Sequence, residues 1–157
     1  MKNLALLLIG FLIIPFSINA QNFKEIYGIS YDEEGKLLNG KYITYGDNGD
    51  IGKIFYFKNG LKHGEYVEFY ADGTVKEYGH YIYNMKHGKW ISWSQDGNKL
   101  GEIKYKEGLR DGKWQIWNKE GNLKYVMFYH DGDKVGTWEM YDDSGVLVQK
   151  ENYGESL

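Results

Sequence analysis

From residue 40 onward, apolar and polar residues alternate in runs of six to eight, each run closed by a glycine-bearing turn. The run Lys89-Trp90-Ile91-Ser92-Trp93-Ser94 is typical: aromatic and β-branched residues at alternate positions, suited to a pleated surface. It is followed by Asp96-Gly97, a pair that favours a tight turn because glycine accepts positive φ without steric cost. A second run follows, as in residues 123–130, and a second turn is expected over 60–64 and its equivalents. Each unit is therefore predicted to be a β-hairpin. The stretches between glycine turns are too short for helices, and the single proline, Pro15, precedes all of them.

The units recur every twenty-four residues without an insertion. Leading glycines stand at Gly40, Gly64, Gly88, Gly112 and Gly136, and a second series nine later at Gly49, Gly73, Gly97, Gly121 and Gly145. A third, twenty behind the leader, reads Gly60, Asn84, Gly108 and Gly132, where asparagine is the non-glycine residue best suited to a left-handed backbone. Aromatic columns lie between them. Two after the leader come Tyr42, Tyr66, Trp90, Trp114 and Trp138, and five after it Tyr45, Phe69, Trp93, Trp117 and Tyr141. Seventeen after it come Phe57, Tyr81, Tyr105, Tyr129 and Tyr153. One such hairpin is marginal alone, so the copies must stabilise one another. The expected fold is all-β: an elongated, single-layer antiparallel meander of stacked hairpins. Its copies cover residues 40–63, 64–87, 88–111, 112–135 and 136–157, with 21–39 as a degenerate half-copy that caps one edge.

The first twenty residues follow a different pattern. Lys2 precedes eleven residues, 4–14, without a polar side chain, and Ala20 stands before Gln21. Eleven helical residues rise about 16 Å, short of the roughly 30 Å hydrocarbon core, so residues 1–20 are expected to be a signal peptide. The remainder is expected to be exported, to the periplasm, the cell surface or the medium, without stable membrane insertion. The whole chain of 157 residues has a formal net charge of −3, which offers no general attraction to phosphate backbones, so no nucleic-acid partner is expected. There is no cysteine, which excludes disulfides, zinc–thiolate sites and thiol catalysis.

The run Phe57-Lys58-Asn59-Gly60-Leu61-Lys62-His63-Gly64-Glu65-Tyr66, repeated at residues 81–90, 105–114 and 129–138, resembles the MORN repeat. The added Trp-x-x-Trp-x-x-x-Gly section is similar to the bacterial MORN repeat variant, found in exported proteins and in proteins described as antitoxins. The resemblance implies an elongated antiparallel meander used for binding or scaffolding, with no conserved chemistry of its own.

No residue set points to catalysis, a cofactor or a metal. His63 and His87 hold equal positions in neighbouring copies, two strands and about 9.6 Å apart, whereas zinc ligands sit ~2.0–2.1 Å from the ion. Asp131 and Asp133, or Asp47 and Asp50, lack the spaced oxygens and distal glutamate of a calcium loop. The chain is thus expected to be non-enzymatic.

Two regular rows remain as candidate binding residues. Lys62, Lys86, Arg110 and Lys134 stand twenty-two behind each leader, and are expected to form a basic row on one edge opposite an acidic edge of turns. Offsets two and five have opposite parity in a strand, so one aromatic column is expected to be partly open, with Trp90, Trp114 and Trp138 first and Tyr66 at its margin. The leading expectation is a protein-binding or scaffold module acting through its aromatic face and sheet edges. A cell-wall or glycan-binding module and an antitoxin or immunity protein are the alternatives.

Overall fold

The computed structural model describes residues 23–155, and the expected signal peptide lies outside them. Strands β1 (Lys24–Ile26) and β2 (Ile29–Tyr31) form a small sheet of their own. Everything after them is one twelve-stranded antiparallel sheet, with no helix among the described residues. Its strands are β3 (Gly40–Tyr45), β4 (Ile51–Lys58), β5 (Leu61–Lys62), β6 (Gly64–Phe69), β7 (Val75–Ile82) and β8 (Met85–Trp93). They continue as β9 (Lys99–Lys106), β10 (Leu109–Arg110), β11 (Gly112–Trp117), β12 (Leu123–His130), β13 (Asp133–Tyr141) and β14 (Leu147–Asn152). Neighbours in sequence are neighbours in space, except that β5 and β6 both pair with β4, and β10 and β11 both pair with β9. The all-β meander expected from the sequence is the observed fold.

Two kinds of turn close each hairpin. At one end the N–H of the second-series glycine bonds the carbonyl three residues back, as in Gly73 to Tyr70 at 2.9 Å and Gly97 to Ser94 at 2.9 Å. At the other end the turn is two residues, both left-handed: Asn59-Gly60 (φ 51°, 76°), Tyr83-Asn84 (47°, 68°), Glu107-Gly108 (51°, 84°) and Asp131-Gly132 (45°, 100°). That is the geometry whose twist matches the flanking strands. The expectation of a turn spanning 60–64 is corrected: the chain is already in a strand at Leu61-Lys62, Met85-Lys86, Leu109-Arg110 and Asp133-Lys134.

Register then fixes the faces. Residues at offset two pair with offset fifteen, as in Tyr66↔Gly79, Trp90↔Ile103 and Trp114↔Met127. Offset seventeen pairs with offset twenty-two, as in Phe57↔Lys62, Tyr81↔Lys86, Tyr105↔Arg110 and Tyr129↔Lys134. Strand alternation therefore puts all four columns on one face. The register slips by one residue just before offset five in every copy, at Tyr45, Phe69, Trp93, Trp117 and Tyr141, with the extra residue on the partner strand. Offset five accordingly keeps its alternation and faces the other side.

The core lies at the N-terminal end of the ladder face. Leu38, Phe55, Phe57, Tyr66 and Trp90 form it, with Phe23, Tyr42, Tyr81, Ile103 and Tyr105 packed against them. The segment before β3 does not pair with β3. It docks over the first copy instead: Phe23 meets the rings of Phe55 and Phe57 edge-on at 6.2 and 5.6 Å, and Ser30 N–H bonds Gly60 O at 2.8 Å. A side chain at Gly60 would meet Ile29, Ser30 and Leu37 within 2.9 Å, so this glycine is needed for close approach as well as for its φ.

Candidate functional site

The rings at offsets two and seventeen alternate along the sheet as a continuous ladder. Successive centroids are Tyr66–Tyr81 5.7 Å, Tyr81–Trp90 5.0 Å, Trp90–Tyr105 6.3 Å, Tyr105–Trp114 5.5 Å, Trp114–Tyr129 4.9 Å, Tyr129–Trp138 5.0 Å and Trp138–Tyr153 4.8 Å. Each indole N–H of the offset-two column donates to a carbonyl of the adjacent long strand: Trp90 to His80, Trp114 to Lys104 and Trp138 to Phe128, at 3.3, 3.0 and 3.0 Å. Each ring is thus oriented from its polar edge as well as its faces.

Tyr66, Trp90 and Trp114 are 5%, 1% and 8% exposed, and Trp138 is half-buried. The expectation of an open row at these positions is corrected. Tyr66, Trp90 and Trp114 are the interior of the ribbon, covered by neighbouring rings and by the basic row, whereas Trp138 keeps part of its ring accessible. Trp93 and Trp117 of the offset-five column are half-buried on the opposite face, where the Lys99 ammonium lies 5.3 Å from the Trp117 ring.

The basic residues also differ from expectation. They do not line an edge of turns; they lie in the strands, over the ladder. Lys86 sits 3.7 Å from the Trp90 centroid and 5.4 Å from that of Tyr105. Arg110 is 5.0 Å from both Trp114 and Tyr129, and its Nη1 donates to the Tyr129 hydroxyl at 3.1 Å. Lys134 lies 4.5 and 4.7 Å from Trp138 and Tyr153, with Nζ donating to the Tyr153 hydroxyl at 3.2 Å. Lys62 reaches Phe55 at 5.7 Å and Tyr81 at 6.0 Å. The negative ring faces attract each cation, by about 0.5–2 kcal/mol depending on desolvation.

The backbone fixes the same residues a second time. The carbonyls of Lys62, Lys86 and Arg110 accept the N–H of Asn84, Gly108 and Gly132 at 2.8, 2.9 and 2.8 Å, a rung between each copy and the next. Leu38, twenty-four before Lys62, makes the same rung to Gly60 at 2.8 Å and is buried where the others carry charge. Acids share the first two cations: Glu25 lies 3.6 Å from Lys62 and Glu77 3.7 Å from Lys86. On the same face burial opposes ionisation of Glu68, but hydrogen bonds from Tyr66 and Lys76 outweigh it and hold its carboxyl below the usual range. The result is a row of fixed cations whose apolar stems cover a ring stack. It is suited to meeting an anionic surface.

The MORN repeat variant family matches residues 62–83, 86–107, 110–131 and 134–154, more than half of the chain. The chain belongs to this family, whose repeats are non-enzymatic modules that bind proteins or membranes. Each match begins at the basic residue or within the two-residue stretch that follows the left-handed turn, so the family's unit starts on the rung described above. A comparison with the curated proteins finds no match. Among solved structures the chain is similar to a chain of the crystal structure of accessory secretory protein 1, 2 and 3 in Streptococcus pneumoniae, with 17% identity and a TM-score of 0.36. The likeness covers 76% of this chain and 23% of that one, so the chain spans about a quarter of that protein's length.

Proposed function

We propose that the chain is a non-enzymatic, exported scaffold module that holds a partner protein against the basic row of its ladder face. The observation that carries this reading is the clamping of Lys62, Lys86, Arg110 and Lys134 on ring faces at one spacing. A cation fixed before binding loses little side-chain freedom on contact, which favours a partner with matching acidic groups. Arg110 and Lys134 are the exposed members, held by tyrosine hydroxyls, and form the expected centre of contact. The test is affinity capture from an envelope extract with the parent protein and with an Arg110→Glu/Lys134→Glu variant of unchanged circular dichroism. A protein retained by the parent and lost by the variant supports the reading; equal recovery by both overturns it. Fractionation of the producing cell tests export, since a chain left in the cytosol with residues 1–20 still attached contradicts it.

A second reading rests on the half-buried offset-five column. Trp93 and Trp117, spaced by one repeat on the opposite face, would offer their rings to the faces of sugars in a wall polymer. Sedimentation with purified polymer distinguishes the two, because this reading requires binding that fails in Trp117→Ala and survives Arg110→Glu/Lys134→Glu.

A further inference from the structure

Register places three potential metal ligands in one row on the face opposite the ladder. Glu65 of β6 pairs directly with His80 of β7, and His80 pairs directly with His87 of β8. Directly opposed residues of an antiparallel pair have Cβ atoms about 4.5–5.5 Å apart and point the same way, which brings two imidazoles within reach of one ion. The equivalent rows elsewhere carry other chemistry: Lys41 and Tyr56 with His63, Lys89 and Lys104 with Asp111, Lys113 and Phe128 with Val135. Only the second copy combines glutamate with two histidines.

A second observation marks the same place. Nδ1 of His87 is buried and has no hydrogen-bond partner. His63 has the same unsatisfied nitrogen, but Tyr56 faces it across the strands and the Tyr83 ring packs on it at 4.6 Å. At His87 the facing residue is a second imidazole. Glu65 is oriented by the Tyr78 hydroxyl, which donates to its Oε1 at 3.2 Å, as carboxylates beside metal sites commonly are.

We propose that His80 and His87 form a cross-strand chelate for a divalent transition ion of the zinc, nickel and copper class, with Glu65 as a flanking carboxylate. Imidazole suits these ions, and water fills the remaining positions. No three of His, Cys, Asp and Glu among the described residues already stand as a cation-holding group, so the two imidazoles carry the site and Glu65 joins by a side-chain movement. Such an ion would bridge β7 and β8 beside the register slip between Tyr78 and His80. It would lie on the face away from the basic row, so the site is independent of the partner-binding reading.

The test is calorimetric titration of the purified protein with Zn2+, followed by Ni2+. The expected result is one ion per chain, with affinity reduced roughly tenfold or more in His80→Ala and in His87→Ala and less in Glu65→Gln. His63→Ala is the control and should bind as the parent does. Circular dichroism of each variant separates a lost ligand from a lost fold. Absence of binding to the folded parent, or binding that survives both His80→Ala and His87→Ala, overturns the proposal, as does an equal loss in His63→Ala.

Discussion

Trp90 and Trp138 hold the same offset, make the same indole N–H bond and carry the same kind of cation, yet they sit in different surroundings. Trp90 is 1% exposed, stacked on Tyr66 at 5.4 Å and flanked by Tyr81 and Tyr105, with a copy of the repeat on either side. Its ring lies directly over Gly79, where any Cβ would overlap three atoms of the indole. At Trp138 the residue in Gly79's place is Met127, and an open hollow of about 120 Å³ lies among Tyr125, Met127, Trp138, Met140 and Gln149. β14, beside it, is exposed at every residue, including Leu147 and Val148. Identical repeat chemistry therefore does not mean identical stability: burial is set by what the neighbouring copy places at offset fifteen and by how many copies flank the ring.

The largest break in this comparison should come from the rings themselves. Trp90→Ala removes the most buried ring of the core and should cost about 3–5 kcal/mol, read as a lowered denaturation midpoint. Trp138→Ala should cost about 1–2 kcal/mol, because part of that ring already faces water. Equal costs would mean that the copies behave as one uniform array. Next in size is Gly79→Ala, at roughly 1–3 kcal/mol from overpacking against Trp90. Gly73→Ala is the control, with φ at 82° and no atom near the added Cβ, so it should cost only about 1 kcal/mol of backbone strain. A harmless Gly79→Ala would show that the indole can move aside.

The glycine columns made the hairpins legible, because a left-handed turn at a fixed interval constrains the residue type whatever packs around it. Gly49, Gly73, Gly97, Gly121 and Gly145 all have φ between 80° and 87°, and Asn84 takes the left-handed place of a glycine at 68°. Gly79 and Gly101 stand outside those columns. They lack positive φ and answer to what lies above them, an indole and the Ser92 hydroxyl, which no local pattern announces. The basic row was legible as a row but misplaced as an edge, because the turn is two residues rather than five and the strand resumes before offset twenty-two. Likewise, His63 and His87 are equivalent in sequence, whereas the hydrogen-bonded register sets His87 against His80. Period reveals which residues are equivalent; only register reveals which residues touch.

The smaller effects sharpen the contrast between the two regions. Lys86→Met keeps the stem over Trp90 and Tyr105 and removes the charge from the shorter of the two cation–ring contacts, 3.7 Å against 4.5 Å for Lys134 over Trp138. It should cost up to about 2 kcal/mol, and Lys134→Met nearer 0.5 kcal/mol, by the same denaturation measurement. A larger loss at Lys134 would place the tighter clamp at the C-terminal end.

The smallest effect at neutral pH belongs to Tyr81, whose ring contacts both Tyr66 and Trp90. Burial, reinforced by the nearby Glu77 carboxylate, pushes its phenol from the ordinary 10.0 up to about 12. The folded chain therefore keeps a proton that the unfolded chain releases first. That contribution to stability is present in full below pH 10 and is lost as pH rises through about 12. Tyr81→Phe keeps the ring and removes the titrating group, so it should change stability by less than about 0.5 kcal/mol at pH 7 and flatten the decline between pH 10 and 12. Denaturation midpoints at pH 7, 10 and 11.5 (buffered at about these values) read the effect, and absorbance at 295 nm follows the phenolate directly. An unchanged decline in the phenylalanine variant would mean that the Tyr81 hydroxyl titrates in water, and that the N-terminal end of the ladder is no better sealed than the hollow beside Trp138.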